Sequence, residues 1–423
     1  MVIDVTLIEG QRIAEAFFGK DVEVSSFEKF GSGNINKTYL FKFSRHPQRH
    51  TELIGQIQNP AVFKDAGAVN HNIEVVGDFI QKSKISEQEE LDMFGMISRP
   101  LILVKNQVNA TMTTIDGLPY RFFPYISGEV VNSVDDIVVT GNPSLELQRR
   151  KECLQDRGTA FGMFGLGVAG IPSENLKVTI PGFHDTLGYF QSFLEAIKDP
   201  KNAERVRETS AEISEIIEYG RDLGVLQGLL MTGSLKPGTL HLDTKINNVI
   251  IDEKDGIKRG TVIDLDTVMN LPNVPKSFDA ADAIRSLEDE NRTDANIRFN
   301  EEMAEALLRG YAAPASKFYT ANDIATLPLA MKIITVELAT RFLTDYVKGD
   351  VYFTIDPNRP KHNLERARAE LMIANTMNDA RNKEIVYDIF GQHTGVIASE
   401  YTGMFDALRS EGQIAANKVM IKK

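Results

Sequence analysis

A chain of 423 residues is long enough for two or three domains, or for two lobes with a cleft between them. Its 42% hydrophobic and 25% charged content is that of a folded globular protein and excludes disorder as the default. No apolar run approaches the ~20 residues of a membrane span; the formal charge of −12 opposes nonspecific nucleic-acid binding, and the single cysteine, Cys153, excludes an internal disulfide.

The N-terminus has no basic region followed by an apolar one, and no Cys/His cluster has zinc spacing, so a cytoplasmic protein is predicted. Helical spacing predicts a helix over 9–18. Segments 22–30 and 38–43 read as strands joined by Gly31-Ser32-Gly33-Asn34-Ile35-Asn36. Such a glycine turn lets backbone N–H groups approach phosphates, although an ordinary hairpin would use the same residues. A strand over 53–58 and a helix over 70–82 follow. Segments 100–106 and 110–115 resemble a hairpin, and 120–126 resembles a strand that enters a turn stiffened by Pro124, with a lobe boundary near 126–128. Helical spacing then covers 145–166, 185–198 with Asp185 as its cap, and 206–230.

The stretch His241-Leu-Asp-Thr-Lys-Ile-Asn-Asn248 carries the chemistry. It offers a carboxylate at Asp243, an ammonium at Lys245 and a carboxamide at Asn248, and two more carboxylates follow at Asp264 and Asp266. Segments 249–251 and 261–263 read as strands around a charged, glycine-containing turn, which would deliver Asn248 and Asp264 to one side of one cleft. Phosphoryl transfer needs this inventory: a carboxylate to orient an acceptor hydroxyl and take its proton, a cation for the moving group, and hard oxygen ligands for Mg²⁺. Taken singly, Asp243 and Asn248 would serve as loop caps and His241 as a packed core residue; the set in this order favours the chemical reading. Further helices are predicted from 278–285, 300–311, 323–349 and 363–388, and the tail from Gly391 reads as a short docked or partly mobile extension.

The pattern H-x-D-x-K-x-x-N, an apolar strand and then Asp resembles the catalytic loop and metal-binding Asp of the kinase fold. No Arg stands between His241 and Asp243, Asp264-Leu-Asp266 replaces Asp-Phe-Gly, and no Ala-Pro-Glu follows, which points away from protein kinases and toward the aminoglycoside and choline phosphotransferases. The expected fold is therefore α+β and bilobal, with a small antiparallel-β N-terminal lobe at 1–127, a larger, mostly α-helical lobe at 128–390 and an extension at 391–423. In this fold the third strand supplies a lysine to the phosphates and the next helix a glutamate to hold it. No lysine lies in 53–58; Lys42 and Lys64 are the candidate substitutes, and Glu74 the candidate partner.

Within that superfamily, Gly31-Ser-Gly-Asn-Ile-Asn-Lys-Thr-Tyr39, Tyr120-Arg-Phe-Phe-Pro-Tyr125, Phe183-His-Asp185, His241-Leu-Asp-Thr-Lys245, Val262-Ile-Asp-Leu-Asp-Thr267, Asp282-Ala-Ile-Arg285, Glu337-Leu-Ala-Thr-Arg-Phe-Leu343 and Gly349-Asp-Val-Tyr-Phe353 resemble the N-acetylhexosamine 1-kinases, in register over about 25–375. The resemblance implies ATP- and Mg²⁺-dependent phosphorylation of the anomeric hydroxyl of N-acetylglucosamine or N-acetylgalactosamine. It implies Asp243 as base with Lys245 beside it and Asn248, Asp264 and Asp266 around the metal. It assigns Gly31, Ser32, Gly33, Pro124, Tyr125 and Ile126 to the nucleotide, and Asn34, Asn36, Arg341 and Tyr352 to the sugar. Asn34 stands where the family has histidine. A kinase of an amino alcohol, an aminoglycoside or a nucleoside would share the catalytic residues, and a non-catalytic nucleotide-binding scaffold would account for the missing strand lysine.

Overall fold

The computed structural model describes residues 5–31, 35–82, 85–137, 142–288 and 297–420. Its first part contains α1 (Val5–Phe18), β1 (Glu23–Lys29), β2 (Lys37–Arg45), β3 (Glu52–Ile57), α2 (Ala66–Gln81), α3 (Glu87–Phe94), β4 (Met96–Ser98), β5 (Thr113–Ile115) and β6 (Leu118–Pro124). Five of the strands form an antiparallel sheet in the order β1-β2-β3-β6-β5. Alternation along the strands gives this sheet two different faces. Phe41, Leu53, Tyr120 and Phe122 pack with Ile13, Ala14 and Phe17 of α1 in a small separate core. Ile54 and Phe123, one position out of phase, face α2 and the main core.

The predicted hairpin at 100–106 and 110–115 is not what forms. Segment 100–106 is irregular, and the turn at Asp116-Gly117, both residues with positive φ, instead pairs β5 with β6. Ahead of it, β4 leaves the N-terminal sheet and pairs in parallel with a strand from the second half of the chain. Helix α3, absent from the sequence reading, starts at a capping box between Ser86 and Glu89.

The second part is mostly helical: α4 (Pro143–Val168), α5 (Thr186–Lys198), α6 (Ala203–Glu208), α7 (Ser210–Leu223), α8 (Val225–Thr232), β7 (Pro237–Leu240), β8 (Val249–Lys254), β9 (Ile257–Val262), β10 (Met269–Pro275), α9 (Phe278–Arg285), α10 (Glu301–Ala315), α11 (Ala321–Lys348), α12 (His362–Thr376), α13 (Asp379–Thr394) and α14 (Ala398–Met420). The small sheets β4-β9-β8 and β10-β7 carry the loops of the site. The centre is α11, buried on most of its circumference and packed by α5, α9, α12 and α14. No described helix is long and apolar enough to cross a membrane.

Two predicted helices are divided. The 206–230 segment breaks at Thr209, whose hydroxyl donates to the Arg205 carbonyl, and again at Gly224. The 363–388 segment breaks at Asn378, whose side chain accepts from the Ala380 and Arg381 N–H groups and starts a new helix. The tail from Gly391 includes α14, which buries Tyr401, Phe405 and Leu408. It lies so close to α8 that a Cβ on Gly228 would stand 2.1 Å from the Gly412 carbonyl oxygen, so both positions are closed to larger residues.

His46, at the end of β2, is buried against the rings of Phe18 and Phe43 at centroid distances of 4.4 and 4.9 Å. Burial, with His50 nearby, lowers its pKa to about 4. The unfolded chain therefore binds a proton that the folded one refuses between the ordinary histidine value and about 4, so this group removes stability as the pH falls through that window. In denaturant melts at stepped pH, His46→Leu should flatten that part of the acid limb.

Candidate active site

The site grows from α9, a helix of eight residues whose polar side chains turn inward. The Asp279 carboxylate accepts from the backbone N–H groups of His241 at 2.8 Å and Leu242 at 2.9 Å. Asp282, one turn along, accepts from Thr244 N–H at 2.8 Å and is itself gripped by Arg285 at 2.8 and 2.9 Å. These bonds hold Leu242 at φ 67°, a left-handed conformation that costs a leucine on the order of 1–3 kcal/mol. Burial pushes the Asp279 carboxyl above its ordinary range, against the pull of the histidine and the two N–H donors.

His241 is enclosed beside Phe161 and Phe164 and ties two loops together. Its Nδ1 accepts from Asp243 N–H at 3.2 Å, which leaves Nε2 to donate to the Ile263 carbonyl at 2.9 Å. Ile263 N–H in turn donates to Asn248 O at 2.9 Å, and the Thr267 hydroxyl donates to His241 O at 2.7 Å. The loop bearing Asp243 and the turn bearing Asp264 are thus one hydrogen-bonded unit.

The predicted catalytic residues meet on this unit. Asp243 and Lys245 stand with Oδ1 and Nζ 3.7 Å apart, both open to the cleft. Asn248 donates to the Asp243 carbonyl at 2.9 Å and keeps its Oδ1 without a protein donor among the described residues. Asp264 sits at φ 58°, is exposed, and has no protein donor among the described residues. Although solvent reaches it, the surrounding protein, and then the charges of Asp266 and Asp243, raise its pKa to about 7. A carboxylate in this state beside a free amide oxygen fits a hard divalent cation. Among the described residues no three His, Cys, Asp or Glu side chains form a metal cluster, so such an ion would also draw ligands from phosphates and water, as Mg²⁺ commonly does.

Asp266 and Asn36 meet each other across the two halves of the chain. One Asp266 oxygen accepts from Arg121 at 2.5 Å and the other from Asn36 Nδ2 at 2.7 Å, while Asn36 Oδ1 accepts from Asn59 N–H at 3.0 Å. Both Asp266 oxygens and the Asn36 amide are thus engaged by protein groups. Arg121, which the sequence reading passed over, is 1% exposed and also holds Gln56 and Asn70. The signal was present: a lone arginine in the apolar run Tyr120 to Phe123 at an inward strand position. The candidate cations stand elsewhere. Lys42 is paired with Glu52 at 3.1 Å, and Lys64 and Glu74 are exposed.

Of the nucleotide candidates, Gly31 has φ 73° at the end of β1, and the ring of Phe30 beside it lies 5.9 Å from that of Tyr125. The end of β1 and the Pro124-Tyr125-Ile126 segment therefore meet through an edge-on ring contact. Ser32, Gly33 and Asn34 lie outside the described residues. Gly128 ends the crossing segment, where a Cβ would stand 2.7 Å from the Ile251 carbonyl oxygen.

Arg341, on α11, is packed by the rings of Tyr189, Phe353 and Phe183 at 4.9, 5.5 and 5.6 Å. No carboxylate pairs with it among the described residues, contrary to what an arginine on a helix surface would do. Four residues earlier, Glu337 has both oxygens engaged, by His184 Nδ1 at 2.8 Å and Thr186 Oγ1 at 2.5 Å, and His184 Nε2 reaches the Leu242 carbonyl at 3.1 Å. Against the desolvation of burial, Glu337 raises the His184 pKa. Tyr352 is 71% exposed on a loop whose Val351, Tyr352 and Phe353 N–H groups all donate to Asp345.

No family model matches the sequence. Among solved structures, the chain is similar to a microcompartment-associated aminopropanol kinase, with TM-score 0.54 and 14% identity over 87% of this chain and 96% of that one. It is also similar to an aminoglycoside phosphotransferase from Alicyclobacillus acidocaldarius, with TM-score 0.51 and 11% identity over 90% and 95%. A third similar structure is the amicoumacin kinase hAmiN in complex with AMP-PNP, Ca²⁺ and Ami, with TM-score 0.50 and 11% identity over 86% and 92%. At these identities the likeness is one of fold: bilobal and kinase-like.

Replacing Asp279 by Ala should orphan the N–H groups of His241 and Leu242. The expected loss is roughly 2–5 kcal/mol in denaturant melts, with turnover of the folded fraction down about 100-fold from displacement of the loop.

Proposed function

We propose that this protein is an ATP- and Mg²⁺-dependent cytoplasmic kinase that phosphorylates the anomeric hydroxyl of an N-acetylhexosamine. The convergence of Asp243, Lys245, Asn248 and Asp264 on one hydrogen-bonded unit supports phosphoryl transfer. The acceptor class rests on Arg341. Its guanidinium has no carboxylate partner among the described residues, is packed by three aromatic rings, and stands one helical turn from Glu337, which His184 ties to the Leu242 carbonyl beside Asp243.

A fixed positive fork repels the ammonium groups of amino alcohols and aminoglycosides, and Glu337, the nearby carboxylate, is already committed to His184 and Thr186. A neutral sugar with vicinal hydroxyls and an acetamido carbonyl supplies acceptors that match guanidinium donors. The exposed Tyr352 ring, 4.8 Å from that of Phe353, offers an apolar face with one polar tip at the same mouth. The lobes are assigned to 1–127 and 128–390, meeting at Gly128, with 391–423 as the extension.

In the reaction, Asp243 orients the acceptor hydroxyl and takes its proton as the acceptor oxygen bonds to the γ-phosphorus and the bond to the β-phosphate bridging oxygen breaks, releasing ADP. An anomeric hydroxyl is more acidic than an ordinary alcohol, so orientation is the larger part of this task. Lys245 places its ammonium beside the transferring oxygens. Asn248 and Asp264 would hold Mg²⁺, which supplies charge neutralisation to the phosphates when bound.

ADP release from Mg·ATP is to be measured with N-acetylglucosamine, N-acetylgalactosamine, glucose, choline and kanamycin, with phosphorus NMR of the product. Release with an N-acetylhexosamine and an anomeric phosphate signal is expected; release with choline or kanamycin alone would overturn the acceptor assignment. Asp243→Asn should cut turnover about 10²- to 10⁴-fold at unchanged nucleotide affinity. Arg341→Met should raise the acceptor KM by about tenfold or more and leave the KM for ATP alone.

A further inference from the structure

The kinase fold ties its sheet to the neighbouring helix with a lysine on the third strand and a glutamate on the helix. Here the corresponding elements present two neutral amides, Gln56 on β3 and Asn70 on α2. We propose that Arg121, on β6, takes over the task of the absent lysine as a positioning residue: through Asp266 it fixes the turn that carries Asp264 and so fastens the N-terminal sheet to the metal-binding side of the cleft. This inference rests on the kinase reading above.

Register explains why β6 can supply the group. Arg121 is the pairing partner of Gln56, on the sheet face that also carries Phe123 and looks toward α2. Its Nε and one Nη donate to Gln56 Oε1 at 3.0 and 2.7 Å, the same Nη donates to Asp266 Oδ1 at 2.5 Å, and the other Nη points to Asn70 Oδ1 at 3.4 Å. One planar group thus joins β3, α2 and the Asp264 turn; an ammonium on a flexible stem has no such fork. The Gln56 amide nitrogen continues the network to Thr38 on β2 at 3.2 Å.

The consequence falls on Asp264. Asp266 is two residues on, in the same single helical turn, and its two oxygens are pinned from the N-terminal sheet by Arg121 and from the end of the glycine turn by Asn36. With the Asp266 side chain fixed at both oxygens, and Ile263 N–H bonded to the Asn248 carbonyl, the left-handed backbone at Asp264 is held from both sides. Arg121 and Asp266 are 1% and 3% exposed, so either charge left alone would be buried without compensation. An apolar pair would fill the same space at little cost in stability, so a purely structural role has no need of these charges.

The test is calorimetric titration of AMP-PNP with and without Mg²⁺ on the wild type, Arg121→Met, Asp266→Asn and the double variant Arg121→Met/Asp266→Leu, with thermal melts of each. The double variant removes both charges together and keeps the fold testable if a single variant fails to fold. The expected result is a loss of about 10- to 100-fold in affinity for Mg·AMP-PNP in every folded variant, with metal-free AMP-PNP affected less than about threefold. The double variant should regain the wild-type melting temperature without regaining Mg·AMP-PNP affinity. Wild-type metal dependence in the folded variants, or recovery of affinity together with stability in the double variant, would overturn the proposal. A wild type that binds no nucleotide under either condition would overturn the kinase reading and this inference with it.

Discussion

The Asp279 carboxylate under the His241 and Leu242 N–H groups is the constraint on which the rest of the site depends. The loop it holds is short, contains a leucine in a left-handed conformation, and has no regular ladder of its own. Without an acceptor fixed from below, the backbone would relax to an ordinary turn and Asp243 would point elsewhere. The helix that supplies Asp279 is itself enclosed against α11, so the position of the Asp243 carboxylate is set by the packing of the helical core. Strain at the reacting centre is thus offset by burial some distance away.

The same division of labour runs through the acceptor side. Helix α11 carries Glu337 and Arg341 on one face, one turn apart, but gives them opposite surroundings. Glu337 is satisfied by His184 and Thr186 and works as a strut to the catalytic loop; Arg341 is ringed by aromatic faces. Polar groups with all partners present give rigidity, and one donor set held open on a rigid support gives selectivity. The charge at this mouth is what separates the proposed acceptor from the cationic molecules to which a fold of this type also lends itself.

Much of this was legible because it is local. The spacing of Asp243, Lys245 and Asn248 is fixed by a few covalent bonds, and Asp185 as a helix cap or Gly31 in a turn depends on immediate neighbours. What was not legible depends on partners far apart in the chain. Arg121 meets Asp266 across 145 positions, and its neighbours in sequence give no sign of the ion pair. That Asp266 accepts from both Arg121 and Asn36 is likewise out of reach of its neighbours in sequence. The expected hairpin of 100–106 with 110–115 gives way to the tighter turn at Asp116-Gly117, and the parallel pairing of β4 with β9 joins segments more than 150 residues apart. Where 206–230 was read as one helix, apolar periodicity persists across the breaks, and only the local geometry at Thr209 and Gly224 interrupts it.

The close seat of α14 on α8 has a bearing on how the molecule is made. Helix α8 leads directly into β7 and the loop of Asp243, yet the surface that Gly228 presents is covered by Gly412, contributed by a helix synthesised almost two hundred residues later. A nascent chain that has already emerged as far as Asp266 would still lack the element that closes this side of the core. Until α14 is available, a partly made chain therefore carries an apolar face of α8 uncovered.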